Sequence, residues 1–166
     1  LSDSNLPIMV ISTDIDPDTN APTDIPDEPK VLGSMQLIYR PDGSRNYLTD
    51  STNESFLNYK GRIGIELRGS SSQALDKKPY GFTTLLDDDD SNNNVSLLGM
   101  PSENDWVLNS LAYDPSMVRD YLSYTLASNM GNYAPRVQYI EVIVNGDYKG
   151  VYFLTEKVKR DSDRVN

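Results

Sequence analysis

The chain has 166 residues, 37% of them hydrophobic, which suits one domain with a modest core. No apolar run approaches the ~18 to 20 residues that a membrane span needs. Its formal net charge of −10 repels phosphate backbones and so argues against general nucleic-acid binding. It has no cysteine and no histidine, which excludes disulfides, thiolate zinc sites and catalytic pairs of histidine with serine or cysteine within the chain.

The first half of the chain alternates β-type runs with polar loops. Spacing by twos and β-branched content predict strands over residues 7–12, 30–39, 61–68 and 78–85. In the third of these runs, Ile63, Ile65 and Leu67 share one face, so we expect that face to be buried. The Pro- and Asp-rich residues 13–29 and the polar residues 87–94 predict irregular, solvated loops.

The second half is predicted to contain one helix followed by a hairpin. Asp114 and Pro115 are a typical N-cap and first helical residue, and apolar residues at helical spacing follow, so we predict a helix over residues 115–130. Asn145-Gly146 separates two alternating runs, which is typical of a β-hairpin. The order of elements predicts an α+β fold with a mostly antiparallel sheet and one main helix.

One basic turn could bind an anion. The strand over residues 61–68 runs into Arg68-Gly-Ser-Ser-Ser-Gln73, and Lys77 and Lys78 follow. The hydroxyls of Ser70, Ser71 and Ser72 and the backbone N–H groups around them would face a phosphate, which basic residues on the next strand could also reach. The alternative is an ordinary tight turn with solvated lysines.

A calcium site is a second candidate. Asp14, Asp16, Asp18 and Asn20 are spaced by twos, like the start of an EF-hand calcium loop. However, Ile25 stands where such a loop has its bidentate glutamate. The alternative is a solvated acidic loop.

Two further residues are singled out by their surroundings. Trp106 begins an apolar run, and we expect it to anchor the core rather than bind a ligand. Glu156 stands where the last predicted strand changes from apolar to basic, which suits either a connector between lobes or a charged strand end.

Taken in order, these motifs resemble the CotH family, closest to its bacterial, non-spore branch. The resemblance is carried by Arg68-Gly-Ser-Ser-Ser, Lys77-Lys78-Pro-Tyr80, Leu97-Leu-Gly-Met-Pro101, Asp105-Trp106, Met117-Val-Arg119, Tyr133-Ala-Pro135, Gly150-Val-Tyr152 and Glu156-Lys157. The resemblance implies an atypical kinase with a protein-kinase-like fold that phosphorylates proteins with ATP and magnesium. Residues 1–166 would then be its N-terminal, nucleotide-binding part.

The same resemblance implies roles for individual residues. Residues 68–72 would form the phosphate-covering turn, and Lys78 or its neighbour Lys77 would contact the α- and β-phosphates. Such a lysine neutralises phosphate charge as the γ-phosphoryl group leaves. Glu156 would open the hinge beside the adenine. The predicted helix 115–130 contains no glutamate to hold the lysine, and Glu66 is a candidate substitute.

The resemblance also sets expectations for the whole protein. The catalytic-base and metal-binding aspartates would follow the hinge, in a C-terminal lobe, yet Asn166 is the last residue. We therefore expect no phosphate transfer by these residues alone. The parent would phosphorylate serine or threonine of a secreted or envelope protein, whose surface we expect to be basic. The alternative is a non-catalytic, kinase-like binding module in a secreted or surface protein that serves adhesion or carbohydrate-associated assembly.

Overall fold

The computed structural model describes residues 1–68, 77–110 and 138–157, and these residues are mostly β-structure. The strands are β1 (Asp3–Ser4), β2 (Ile8–Thr13), β3 (Ile15–Asp16), β4 (Ala21–Pro22), β5 (Val31–Ile38), β6 (Asn46–Tyr47), β7 (Leu57–Leu67), β8 (Tyr80–Leu85), β9 (Asp105–Ser110), β10 (Gln138–Val144) and β11 (Asp147–Glu156). Two short 3-10 helices, Leu48–Thr52 and Glu54–Phe56, lie before β7. Within the described ranges, no helix has the length and apolar character needed to cross a membrane.

Seven of the strands form one closed barrel. Their order is β10–β11–β9–β8–β7–β5–β2, and β2 pairs with β10 to complete the ring. An odd number of strands cannot alternate in direction all the way round a closed ring, so at least one neighbouring pair must be parallel. That pair is β2 and β10, while the other neighbours are antiparallel. Closure leaves no strand of the ring with an unpaired edge.

The predicted α+β fold with one main helix is wrong for the described residues, which form a closed barrel of seven strands. The predicted helix 115–130 lies outside the described residues. The predicted strands 7–12, 30–39, 61–68 and 78–85 are found as β2, β5, β7 and β8. The error arose because periodicity shows which face of a strand is buried but not whether the two edges of its sheet meet.

The interior of the barrel is the main hydrophobic core. Alternate residues of each barrel strand point inward, and the largest fully buried ones include Trp106, Tyr152, Phe82, Met9 and Met35. Ile63 and Ile65 are 0% exposed, and Leu67 packs against the same core, as predicted from their spacing. Trp106 is 1% exposed, which confirms its predicted place in the core.

A smaller apolar cluster lies outside the barrel. Ile8, Ile38 and Ile143 form it, each next in sequence to an inward-facing residue, and Val10, Leu48 and Leu57 pack against them. The first 3-10 helix therefore covers the outer side of the pairing that closes the barrel.

The predicted hairpin at Asn145-Gly146 is confirmed. Val144 pairs with Asp147, and the two residues between them have φ angles of 52° and 79°. Two successive left-handed residues define the turn that matches the twist of a β-hairpin, and Asn-Gly is the pair best suited to it. The side-chain oxygen of Asn145 also accepts a hydrogen bond from the backbone N–H of Thr13 (2.9 Å), which ties this hairpin to β2.

Arg62 on β7 connects two acidic loops to the barrel. Its Nη1 and Nη2 donate to Oδ1 and Oδ2 of Asp14 at 2.9 and 2.5 Å, and its Nε donates to Oδ1 of Asp89 at 2.5 Å. Hydrogen bonding to Arg62 holds the pKa of Asp14 below its usual value of 3.8. Arg62 thus links both loops to β7. The loop over residues 13–29, predicted to be irregular, contains the short β3–β4 pair, and further backbone hydrogen bonds hold it and the loop over residues 87–94 to the barrel.

We expect Ile63→Ala to lower the free energy of unfolding by about 2 to 5 kcal/mol, because it leaves a cavity in the barrel interior. The matched control is Ile15→Ala, since Ile15 is 58% exposed and should change stability by no more than about 0.5 kcal/mol. Urea unfolding followed by circular dichroism measures both. Equal effects of the two substitutions would contradict the described core.

We expect the Arg62–Asp14 pair to make stability depend on pH in the acid range. The folded-state pKa of Asp14 is lowered, so its contribution is present above the ordinary value of 3.8 and is lost as the pH falls through the folded value. Asp14 is 46% exposed, so the contribution should be about 0.2 to 1 kcal/mol. Urea unfolding at about pH 6 and about pH 2.5 should show a larger acid loss in the wild type than in Arg62→Gln. An identical loss in both would disprove this role of the pair.

Candidate phosphate-binding site

The predicted basic turn has a well-defined base. The backbone N–H of Arg68 donates to the carbonyl of Pro79 at 3.1 Å, which extends the β7–β8 pairing past Leu67 and Tyr80. Arg68 and the two lysines therefore flank one connection between neighbouring strands. Residues 69–76 of that connection, which include the predicted phosphate ligands Ser70, Ser71 and Ser72, lie outside the described residues.

Lys77 is bound by strand β11. Its Nζ donates to the carbonyl oxygen of Val151 and lies 4.8 Å from the ring centroid of Tyr152, a cation–π contact. Partial burial lowers the pKa of Lys77, and the charge of Glu141 opposes that shift. Gly150 leaves room for the ammonium group, because a Cβ at that position would lie 3.1 Å from Nζ. Lys77 thus fixes the end of the turn to the barrel.

Lys78 has a different environment from its neighbour. Its backbone carbonyl accepts a hydrogen bond from the hydroxyl of Tyr152 at 2.7 Å. No described residue forms an ion pair with its ammonium group. One buried tyrosine therefore contacts both lysines, by its ring for Lys77 and by its hydroxyl for the backbone of Lys78.

A second group of charges lines a shallow depression on the outer face of β7, β8 and β9. Its empty volume is about 170 Å³, and its lining includes Lys30, Glu66, Arg68, Gly81, Asp105 and Lys157. Lys30 and Glu66 form an ion pair at 3.4 Å. The carboxylate of Asp105 accepts a hydrogen bond from the hydroxyl of Thr83 at 2.6 Å. Of the predicted site residues that the structure describes, Arg68 is the one that lines this depression.

The floor of the depression depends on Gly81, which has no side chain. A Cβ at Gly81 would lie 3.0 Å from Cδ of Arg68 and 3.1 Å from its Cγ. The aliphatic part of Arg68 therefore lies across the backbone of β8, which directs the guanidinium group over the neighbouring surface.

Glu156 lies apart from the basic turn. It pairs with Trp106, which in turn pairs with Phe82, so it stands four strand positions from the level of Lys78. That register corresponds to about 13 Å along the strands and about 10 Å across two strands. The described part of the structure brings Arg68, Lys77 and Lys78 to one turn and leaves Glu156, the predicted hinge residue, at a separate place.

The first two acidic residues of the predicted calcium loop have hydrogen-bond partners within the chain. Both carboxylate oxygens of Asp14 bind Arg62, and Oδ1 of Asp16 accepts a hydrogen bond from the backbone N–H of Asp18 at 2.9 Å. Within residues 1–68, 77–110 and 138–157, no group of three or more His, Cys, Asp or Glu residues could hold a metal ion.

The sequence interpretation missed Tyr152, Gly150 and Lys30 as parts of the basic surface. Gly150 and Tyr152 entered only as members of a motif, and a glycine two residues before a buried tyrosine was the available signal. Lys30 gave no local signal, because its position beside Glu66 depends on the pairing of β5 with β7.

The fold and the basic turn define a closed β-barrel protein with cations gathered at one strand connection. The CotH kinase protein family model matches residues 65–166, which is more than half of the chain. The chain therefore belongs to the CotH kinase family, as the motifs predicted. No curated protein matches it. The family match begins within β7, so β2 and β5 lie outside the matched residues.

We expect Tyr152→Phe to lower the free energy of unfolding by about 1 kcal/mol, because the carbonyl of Lys78 loses its hydrogen bond while the ring under Lys77 remains. The control is Tyr39→Phe, since Tyr39 is 36% exposed and its loss of a hydroxyl should change stability by less than about 0.5 kcal/mol. Urea unfolding measures the difference. Indistinguishable variants would show that the hydroxyl does not support the turn.

Proposed function

We propose that the chain binds the phosphates of Mg-ATP at the basic turn and is the nucleotide-binding part of a CotH-type protein kinase. The main support is that Arg68, Lys77 and Lys78 flank one strand connection in a chain of net charge −10. A local excess of positive charge on such an acidic surface favours an anionic ligand at that place. Membership of the CotH kinase family supports a phosphate-transfer role for that ligand.

The two lysines would have different roles at the turn. Lys77 already donates to Val151 and contacts the ring of Tyr152, so it would act as a positioning residue. Lys78 forms no ion pair with a described residue, so its ammonium group would contact the phosphates. A lysine suits this role because it is a compact point charge with three donors.

In the proposed reaction, a serine or threonine hydroxyl oxygen of a secreted or envelope protein bonds to the γ-phosphorus of ATP, ADP leaves, and the hydroxyl proton passes to a base or to solvent. The transition state spreads negative charge over the phosphoryl oxygens, and fixed cations lower its energy. Arg68 and Lys78 would bind and orient the phosphates, with magnesium entering as part of the nucleotide. The class of acceptor and its location are supported by the family resemblance.

The test is calorimetric titration of Mg-ATP into the folded 166-residue chain and its variants. We expect Lys78→Ala to weaken binding about tenfold, or about 1.4 kcal/mol, because it removes a phosphate-contacting charge. The matched control is Lys60→Ala, since Lys60 is 58% exposed and its ion-pair partner Glu54 is 84% exposed. Both substitutions remove one positive charge, so a difference between them reports position rather than net charge.

Two outcomes would overturn the proposal. Absence of Mg-ATP binding by the folded wild-type chain would leave the non-catalytic binding module as the better interpretation. Equal weakening by Lys78→Ala and Lys60→Ala would show that the nucleotide responds to the overall charge of the protein and not to the turn.

A further inference from the structure

An ion pair beside Arg68 has no part in the function described so far. Lys30 stands immediately before β5, and Glu66 lies on the neighbouring strand β7. Their side chains meet at 3.4 Å and are 33% and 23% exposed. Because both are partly buried, solvent screens this pair less than a fully exposed one. Glu66, which the sequence suggested as a partner for Lys77 or Lys78, in fact holds Lys30.

Two more cations border the same depression. Arg68 lies across Gly81, and Lys157 reaches the surface from the end of β11, where its backbone N–H donates to the carbonyl of Asp105 at 3.0 Å. Neither has an ion-pair partner in the described part of the chain. The lining thus carries three cations against the carboxylates of Glu66 and Asp105. Such an arrangement favours an anion in the depression.

The depression is open rather than enclosed. Its empty volume of about 170 Å³ includes open solvent, so it does not surround a small molecule as a closed pocket does. Recognition there would come from the charges at its rim, which suits phosphate groups more than a base or a sugar. The absence of a side chain at Gly81 keeps its floor open, since even one Cβ there would crowd Arg68.

We propose that this depression is a polyphosphate subsite in which Lys30, positioned by Glu66, binds phosphate together with Arg68 and Lys157. The proposal rests on the proposed nucleotide-binding function. It adds Lys30, a phosphate-binding residue that lies outside the residues that the family model matches. Glu66 fixes the ammonium of Lys30 at the rim, and Arg68 offers a planar fork of donors that can bind two phosphate oxygens. Arg68 joins the subsite to the basic turn, because it belongs to both.

The experiment titrates Mg-ATP and, separately, inorganic tripolyphosphate into the 166-residue chain. We expect Lys30→Ala to weaken both ligands about tenfold, Lys30→Arg to weaken them less because it keeps the charge, and Lys157→Ala to weaken both severalfold, while the control Lys60→Ala stays within about twofold of the wild type. Tripolyphosphate isolates the phosphate contacts from those to the base and sugar.

The sign of the Glu66→Gln effect separates positioning from simple charge. Removal of a carboxylate should strengthen anion binding if Glu66 acts only by its charge. We expect weakening instead, because Lys30 loses its fixed position. In the Lys30→Ala background the same substitution should no longer weaken binding, which is the non-additivity expected of residues that act as a unit. Strengthening in the wild-type background would refute the positioning role.

The possible results separate this inference from the proposed function. Mg-ATP binding that Lys78→Ala weakens but Lys30→Ala and Lys157→Ala do not would overturn the subsite and leave the nucleotide function in place. Lys30-dependent binding of tripolyphosphate without binding of Mg-ATP would overturn the nucleotide function and leave an anion site. Urea unfolding of each variant checks that lost binding is not lost folding.

Discussion

The parallel pairing of β2 with β10 is the constraint on which the rest of the structure depends. Without it, β10 would present an unpaired edge, and the sheet would be an open ribbon rather than a barrel. Closure encloses one apolar interior, in which Trp106 and Tyr152 are almost fully buried. It also makes the N-terminal strands integral to the domain, although the family match begins only at residue 65. The barrel is thus built by family-matched and unmatched residues together.

Tyr152 links this core to the basic surface. Its ring is buried against Tyr80, with centroids 5.9 Å apart, so its position is set by the packing of the barrel interior. From that fixed position it contacts the ammonium of Lys77 and donates to the carbonyl of Lys78. Burial raises the pKa of Tyr152, so the hydroxyl remains a donor at ordinary pH. A candidate ligand site on a turn is therefore supported from the packed interior of the barrel.

Local patterns predicted local features, and long-range pairing decided what they missed. The shared face of Ile63 and Ile65, the turn at Asn145-Gly146 and the burial of Trp106 follow from periodicity or turn chemistry, and all are confirmed. The closed barrel, which the described residues form in place of the predicted α+β fold, depends on strands far apart in sequence. The Lys30–Glu66 pair was not predicted, because it too depends on the pairing of strands far apart in sequence. Resemblance identified the family correctly, while the roles that it implies for residues 68–78 and for Glu156 remain predictions.

The distribution of charge connects these features to function. The chain carries ten more acidic than basic residues, and several of its cations are bound by its own carboxylates: Arg62 by Asp14 and Asp89, and Arg40 by Asp50. Those pairs fasten loops. The cations that find no carboxylate among the described residues include Arg68 and Lys157, which line the depression, and Lys78, which flanks the same strand connection as Arg68. Because like charges repel, such an arrangement costs free energy unless an anion joins it. Binding of phosphate would relieve that repulsion, so the acidic surface elsewhere and the basic surface here together favour a small, highly charged ligand over a long polyanion.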